Sequence, residues 1–377
     1  MFADFTHISE GFHESFREDP TFNESESVKN VQEILLPSRV ITGKDAIDYV
    51  PEILKKLKLD KTVYIITGNK TYDIAGKRVC ENLEKNNISC GVYRANEASM
   101  EEIEKILKRI DTEKTCCLLG IGSGKSIDLA KLASTKAEIP FLSIPTAASH
   151  DGIISARASI HSEKESKSIQ AQSPIAVVAD TEIIANAPYE LLAAGCGDVI
   201  SNYTSVLDWE LASRLHNEPF STVAASMSLM SAELIRKSAG FIRPGLESSA
   251  RLVIQALVTS GIAMSFAGTS RPASGAEHMF SHVLDKILEK PAHHGFQCAL
   301  GSIVMLYLHG RDWTKYRDTM TQIGIPTTAK EIGIDDDKII EALIKAPHIR
   351  PERYTILGKG LTESAAIKAA KVTGIIE

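Results

Sequence analysis

From Val31 onward the chain alternates short, β-branched apolar runs with longer segments of helical period. ILLPSRVITG reads as an entry strand and AIDYVPEILKKLKL as the helix after it. TVYIITG (62–68) is a second strand ending in glycine, followed by a helix through YDIAGKRVCENLEK. ISCGVYRA, KTCCLLGIGSG and PFLSIPT continue the strand series, with MEEIEKILKRI and SIDLAKLAS as helices between them. Strands separated by helices of about 10–15 residues predict βαβ units, since parallel strands need a crossover of that length.

The texture then changes twice. SARASIHSEKESKSIQAQSPIAVVAD alternates as two segments around a charged turn, which predicts a β-hairpin. Pro188 and the Gly195–Gly197 pair mark a switch, after which the pattern is almost wholly helical from Asp198 to about Ile344. Pro244, Pro272, Pro291 and Pro326 supply the breaks. A boundary near 185–195 gives an extension (1–30), an α/β domain (31–190) and a helical domain (191–377). The extension carries Phe2, Phe5, Phe12, Phe16 and Phe22 without a clean period. It is expected to be a mobile tail or peripheral extension, with docking through those phenylalanines as the alternative. Leu252–Ser270 is uncharged and long enough to span a bilayer, but six of its residues are Gln, Ser or Thr. Lipid penalises such groups, so a buried core helix and no membrane span are expected.

Composition sharpens this picture. With 377 residues, 44% hydrophobic and 24% charged, the chain can bury a sizeable core in two or three domains. A net charge of -6 argues against a nucleic-acid coat. Seven acids and two bases of that balance fall in residues 1–30, so the remainder is nearly neutral and nothing global opposes an anionic ligand. Six cysteines without a C-x-x-C pair suit a reducing compartment. MFADFTHISEGF lacks the basic-then-apolar progression of a secretory signal, so a cytoplasmic location is expected.

Three constellations can carry chemistry. Gly120-Ile-Gly-Ser-Gly-Lys-Ser126 ends a strand and opens a helix, whose unpaired N–H groups suit a phosphate. It misses the P-loop by one position, because Leu119 stands where the first glycine belongs. It also misses the Rossmann fingerprint, whose third glycine is Lys125 here. Ser143-Ile-Pro-Thr-Ala-Ala-Ser-His-Asp151 forms a second strand-end loop, where ligands of open α/β sheets bind. A tight turn alone is the plainer reading of either loop. Asp198, the His278–His282 pair and His293-His294 make the third set. The four-residue spacing puts His278 and His282 on one helical face. Two histidines and a carboxylate with an open position suit catalytic Zn²⁺, although any one of these histidines is more commonly a core residue.

Together GIGSGKSID, IPTAASHDG, PIAVVADTEII, APYELLAAGCGDVISNY, SGAEHMFSH, PAHHGFQCALG and HIRPERYTIL resemble one family. It is that of the archaeal-type sn-glycerol-1-phosphate dehydrogenases, within the iron-containing alcohol dehydrogenase and glycerol dehydrogenase superfamily. The resemblance runs from about Val31 to the C-terminus and leaves residues 1–30 outside. It implies a Rossmann-like dinucleotide-binding domain joined to an all-α domain, the dehydroquinate-synthase-like architecture, with Zn²⁺ in the cleft. By position, Gly124, Lys125, Ser126, Ile127 and Asp128 would bind the NAD(P) diphosphate. Thr146, Ala147, Ala148 and Ser149, with Ser155, would meet the ribose and nicotinamide end. Asp198, His278 and His294 would hold the metal; Asp151, Asp198 and His282 would contact substrate as catalytic groups. Ser123 departs from the family, which often has a third consecutive glycine there.

The implied reaction is reduction of dihydroxyacetone phosphate to sn-glycerol 1-phosphate, a lipid-backbone precursor, by a homo-oligomer that takes a small-molecule substrate. Glycerol dehydrogenase and a 3-dehydroquinate synthase-like lyase are the alternatives, and a non-catalytic scaffold is a third. After TVYIITG come Asn69-Lys70 and no acid to repel a 2′-phosphate, so both NADH and NADPH are expected to serve. Arg350, Arg353 and Lys290 are candidates for a phosphate group, but a surface or structural role is the commoner one, and sequence assigns none of them.

Overall fold

The computed structural model describes residues 34–161 and 166–377; the N-terminal extension, and the expectations placed on it, lie outside them. Six strands form one parallel sheet: β1 (Arg39–Gly43), β2 (Thr62–Thr67), β3 (Ser89–Arg94), β4 (Thr115–Gly122), β5 (Phe141–Pro145) and β8 (Ala176–Asp180). Their order is β1-β8-β5-β4-β2-β3. Chain order reverses between β2 and β4, leaving a crevice at the carboxyl ends of these strands, where open α/β sheets place ligands.

The predicted alternation decides which face each strand residue meets. Cys117, Leu119 and Ile121 of β4 join a core under α1 (Val50–Lys56) and α2 (Lys77–Lys85). Leu118 of the same strand joins the opposite core, with Ile103 and Ile106 of α3 (Met100–Arg109) and Ile127 of α4 (Gly124–Ala137). Both faces are covered, as parallel sheets require. Asn69–Thr71 and a π-turn at Tyr72–Gly76 lead from β2 into α2.

The hairpin is shorter than the sequence pattern implied. Among the described residues, only β6 (Arg157–His161) and β7 (Ser166–Gln170) pair antiparallel. Ala176–Asp180 is instead β8, inside the main sheet between β1 and β5. Its five residues are all buried, which a one-sided hairpin strand cannot be.

All described elements after β8 are helical. They are α5 (Thr181–Ala185), α6 (Tyr189–Ile200), α7 (Asn202–His216), α8 (Thr222–Ser238), α9 (Glu247–Ala267), α10 (Ala276–Ile287), α11 (His294–Leu308), α12 (Trp313–Ile323), α13 (Asp336–Lys345) and α14 (Glu363–Val372). By length and composition α9 is apolar enough to cross a membrane. Val253, Ile254, Leu257 and Ala263 of this helix are nevertheless fully buried in the protein core.

Gly195 and Gly197, which mark the switch to helical texture in the sequence, both lie within α6. They are there for close approach. A Cβ on Gly195 would sit 2.0 Å from the Ala148 carbonyl oxygen after β5, and one on Gly197 would sit 2.4 Å from the Gly295 carbonyl oxygen. Gly295 returns the constraint, its Cβ falling 1.8 Å from the Ala194 oxygen. Three glycines thus let α6 touch the β5 loop and the start of α11 through backbone alone. Gly195→Ala is expected to destabilise the protein by about 3 kcal/mol, the upper end for overpacking, because a backbone carbonyl cannot step aside. Gly240→Ala should cost little, since its Cβ meets only the end of the Gln322 side chain, at 3.2 Å. Urea midpoints of the two variants check this.

Candidate metal and cofactor site

Backbone approach around α6 brings side chains from three segments together. Asp198, near the end of α6, turns Oδ1 toward His278 Nε2 at 3.5 Å and His294 Nε2 at 3.8 Å. Cys298 stands one helical turn beyond His294, with Sγ 3.5 Å from Nε2. One donor atom from each of the four lies within 4.8 Å of all the others. One carboxylate oxygen, two imidazole nitrogens and a sulfur are the donor types that zinc takes. The two Asp198–histidine separations suit neighbouring ligands about 2 Å from one ion.

Each imidazole is oriented from behind. His278 Nδ1 lies 2.9 Å from Glu277 Oε1. Glu277 is fully buried and also accepts from Thr204 Oγ1, Ser205 Oγ and the Gly275 N–H. Burial works against the Glu277 charge, but these donors and His278 hold its carboxyl down at about 2. His294 Nδ1 meets Ser281 Oγ at 2.9 Å. Ser281 gives its own proton to Gln297 Oε1, so His294 must donate from Nδ1. In both rings Nε2 is therefore the atom left for the donor group, the arrangement that supporting hydrogen bonds give metal-binding histidines.

Asp198 Oδ2 accepts the Asp151 N–H at 2.9 Å, which ties the β5 loop to the donor group. Asp151 Oδ2 in turn accepts from Ser260 Oγ of α9 at 3.1 Å. Burial, then the neighbouring Asp198 charge, push the Asp151 carboxyl up to about 7. Burial opposes the Asp198 charge as well, yet the His278 and His294 imidazoles beside it hold Asp198 near 2. His282, one turn beyond His278, lines the same cavity but stands outside the donor group. Burial, then its neighbours His294 and His278, push its pKa well down, so the ring is neutral.

The cavity has a volume of about 370 Å³ and runs from the α4 turn to these histidines. Gly124, Lys125, Asp128, Asp151, Ser155, His278, His282 and His294 all line it. The other cofactor candidates are placed differently. Ser126 is buried beneath the turn, and the Ile127 side chain belongs to the core. Their N–H groups bond back to Ser123 O at 3.1 and 3.3 Å. Among the described residues, the N–H groups of Gly124 and Lys125 have no such partner, so these face an incoming anion at the helix start. Asp128 accepts the Ser159 N–H at 3.0 Å and so holds the hairpin over α4. Thr146, Ala147 and Ala148 are buried, and Thr146 N–H closes the loop onto Gly122 O at 2.9 Å. Ser149 is half-buried beside them.

Sequence reasoning passed over Cys298, whose four-residue spacing from His294 was the available signal, and Glu277, adjacent to His278. It also passed over His150, whose ring covers Gly124 and accepts the Gly152 N–H. Spacing alone left His293 and His294 side by side, and only the resemblance favoured His294; His294 joins the donor group, while His293 is 43% exposed and turns toward Glu190.

Comparison with known proteins identifies the family and the fold. The sequence profile of the family described as iron-containing alcohol dehydrogenase matches residues 41–188. Glycerol-1-phosphate dehydrogenase of Methanosarcina acetivorans is 56% identical over 341 residues, spanning 90% of this chain and 96% of that protein. The enzyme of the same name from Methanobrevibacter smithii is 51% identical over 349 residues, 92% of this chain and 100% of its own. Among solved structures, glycerol dehydrogenase of Schizosaccharomyces pombe shares the fold with a TM-score of 0.75 at 20% identity, covering 92% of this chain and 94% of that one. The chain belongs to the glycerol-1-phosphate dehydrogenase family.

Proposed function

We propose that this protein reduces dihydroxyacetone phosphate to sn-glycerol 1-phosphate with NADH or NADPH, assisted by Zn²⁺. The observation that carries the reading is the convergence of Asp198, His278 and His294 in one donor group, whose two histidines line a cavity that also receives the start of α4. The reading divides the chain into residues 31–190 for the dinucleotide and 191–377 for metal and substrate, meeting at this cavity. Asp198, His278 and His294 would hold the ion. When bound, the ion polarises the ketone and the reduced nicotinamide supplies the hydride.

The remaining work belongs to the chain. Glu277 and Ser281 keep both imidazoles presenting Nε2, so the donor set is organised in advance. Gly124 and Lys125 offer their N–H groups to the cofactor diphosphate, and the 146–149 loop with Ser155 borders its nicotinamide end. Neutral His282 can bond substrate oxygens without adding charge. Asp151 and His282 both line the cavity near the donor group, where either can pass a proton to the oxygen that becomes a hydroxyl.

Asn69 and Lys70 open the segment after β2, at the edge of the crevice, and put no carboxylate there to repel a 2′-phosphate. The reading extends to a cytoplasmic enzyme acting as a homo-oligomer. Supporting association, α8 exposes Val223, Met230 and Leu234 along one face, at 58%, 59% and 36%.

Oxidation of NADH by dihydroxyacetone phosphate should disappear on chelation and return with zinc. His294→Ala should lose bound zinc as well as activity; a variant that keeps its activity removes the metal assignment. Glycerol 1-phosphate, not glycerol, should reduce NAD⁺, and turnover without net NADH consumption would point to a lyase instead. NADH and NADPH should both serve, and a preference beyond about 1,000-fold contradicts the neutral-site argument. Met230→Glu should lower the mass measured by light scattering if α8 is the joining face.

A further inference from the structure

Three carboxylates, Asp128, Asp151 and Asp285, line the cavity, and so do three cations, Lys125, Arg157 of β6 and Arg350 of the segment after α13. Arg157 donates from Nη1 to Gln170 Oε1 at 3.2 Å, so Arg350 is the guanidinium whose lost hydration calls for an anion. Burial, then the charge of Arg350, push the Arg157 guanidinium down, so the two groups feel one another. The same Arg350 charge reaches His282.

The neighbouring arginines are committed elsewhere. Arg353 donates to Ser274 O at 2.6 Å and Ser270 Oγ at 3.0 Å. Arg271 donates from Nε to Glu218 Oε1 at 2.6 Å and from Nη1 to Tyr354 O at 2.8 Å. They brace the loop that carries Arg350. Among the described residues, no side chain or carbonyl accepts from the Arg350 guanidinium. Lys290, the other cation considered from sequence, is exposed and does not line the cavity.

We propose that Arg350, with Arg157 facing the same cavity, binds the phosphate of the substrate, and that this pair makes the site select a phosphomonoester over the free polyol ketone. The inference rests on the reductase reading for the identity of the substrate. The chemistry itself, a guanidinium pair taking a phosphate dianion, stands on the placement of the two side chains. Ser159, Ser270 and Ser274 line the same cavity and can add hydroxyl or N–H donors.

The test has two arms on the zinc-loaded, full-length protein, comparing wild type with Arg350→Gln, Arg350→Lys and Lys290→Gln. In the first, inorganic phosphate is titrated calorimetrically without substrate or nucleotide. Arg350→Gln should weaken binding about 10- to 100-fold, Arg350→Lys less, and Lys290→Gln not at all. In the second, kcat/KM for dihydroxyacetone phosphate is divided by that for dihydroxyacetone, and the ratio should fall by a similar factor in Arg350→Gln. NADH and NADPH dissociation constants should stay unchanged; a loss confined to the nucleotides would assign Arg350 to a cofactor phosphate and overturn the proposal. Equal phosphate binding in wild type and Arg350→Gln would overturn it too. Phosphate binding that depends on Arg350, in a protein that does not turn over dihydroxyacetone phosphate, would keep the anion site and discard the reductase reading.

Discussion

Everything at the site depends on how closely the backbone of α6 approaches its neighbours. The carbonyl groups of Ala148, Ala194 and Gly295 occupy space where Cβ atoms at 195, 295 and 197 would otherwise stand. Side chains at these contacts would hold the β5 loop, α6 and α11 apart by the width of at least a methyl group. Asp198 would then no longer reach both the Asp151 N–H and the histidines of α10 and α11. Glycine weakens a helix interior by roughly 0.5–1 kcal/mol relative to alanine. Here that local cost secures a packing in which loop, carboxylate and imidazoles coincide.

A second layer of buried carboxylates fixes what the glycines bring together. Glu277 accepts from α7 hydroxyls and from the turn before α10, so it sets the position of His278 from the rear. Asp208, also on α7, accepts the Ala276 N–H at the start of α10 and the Ile356 N–H at 2.7 Å, with His309 Nε2 at 2.9 Å. A single helix thereby anchors both the histidine-bearing helix and the C-terminal segment that follows Arg350. Buried carboxylates are stable only when fully hydrogen-bonded, and these two are. The precision of the site is thus inherited from polar groups that never touch the cavity.

The sequence made the sheet legible because β-branched runs and helical periods are local properties. It could not separate Ala176–Asp180 from the hairpin, since nothing punctuates that stretch except Pro174, and uniform apolarity rather than alternation was the distinguishing mark. It read Gly195 and Gly197 only as markers of the switch to helix, because a glycine needed for close approach and one needed for a turn look alike in a string of letters. The His278–His282 spacing spoke clearly, and the roles of the two rings did not, because Glu277, Ser281 and Asp198 come into play only once three segments are packed together. Arg350 and Arg353 were equivalent in sequence; acceptors at Ser270 and Ser274 tell them apart.

The turn before α4 bears on how such chains are found by pattern. Gly120 is closed in by Ala130, 2.9 Å from its would-be Cβ, and Gly122 has a φ of +146°. Neither position admits a side chain cheaply. Ser123, between them and Gly124, has φ −83° and ψ −174°, an extended conformation open to any residue. Drift over generations can therefore run through position 123 while its neighbours stay locked. A search pattern that demands an unbroken glycine triplet will discard functional members for a residue the backbone never constrained.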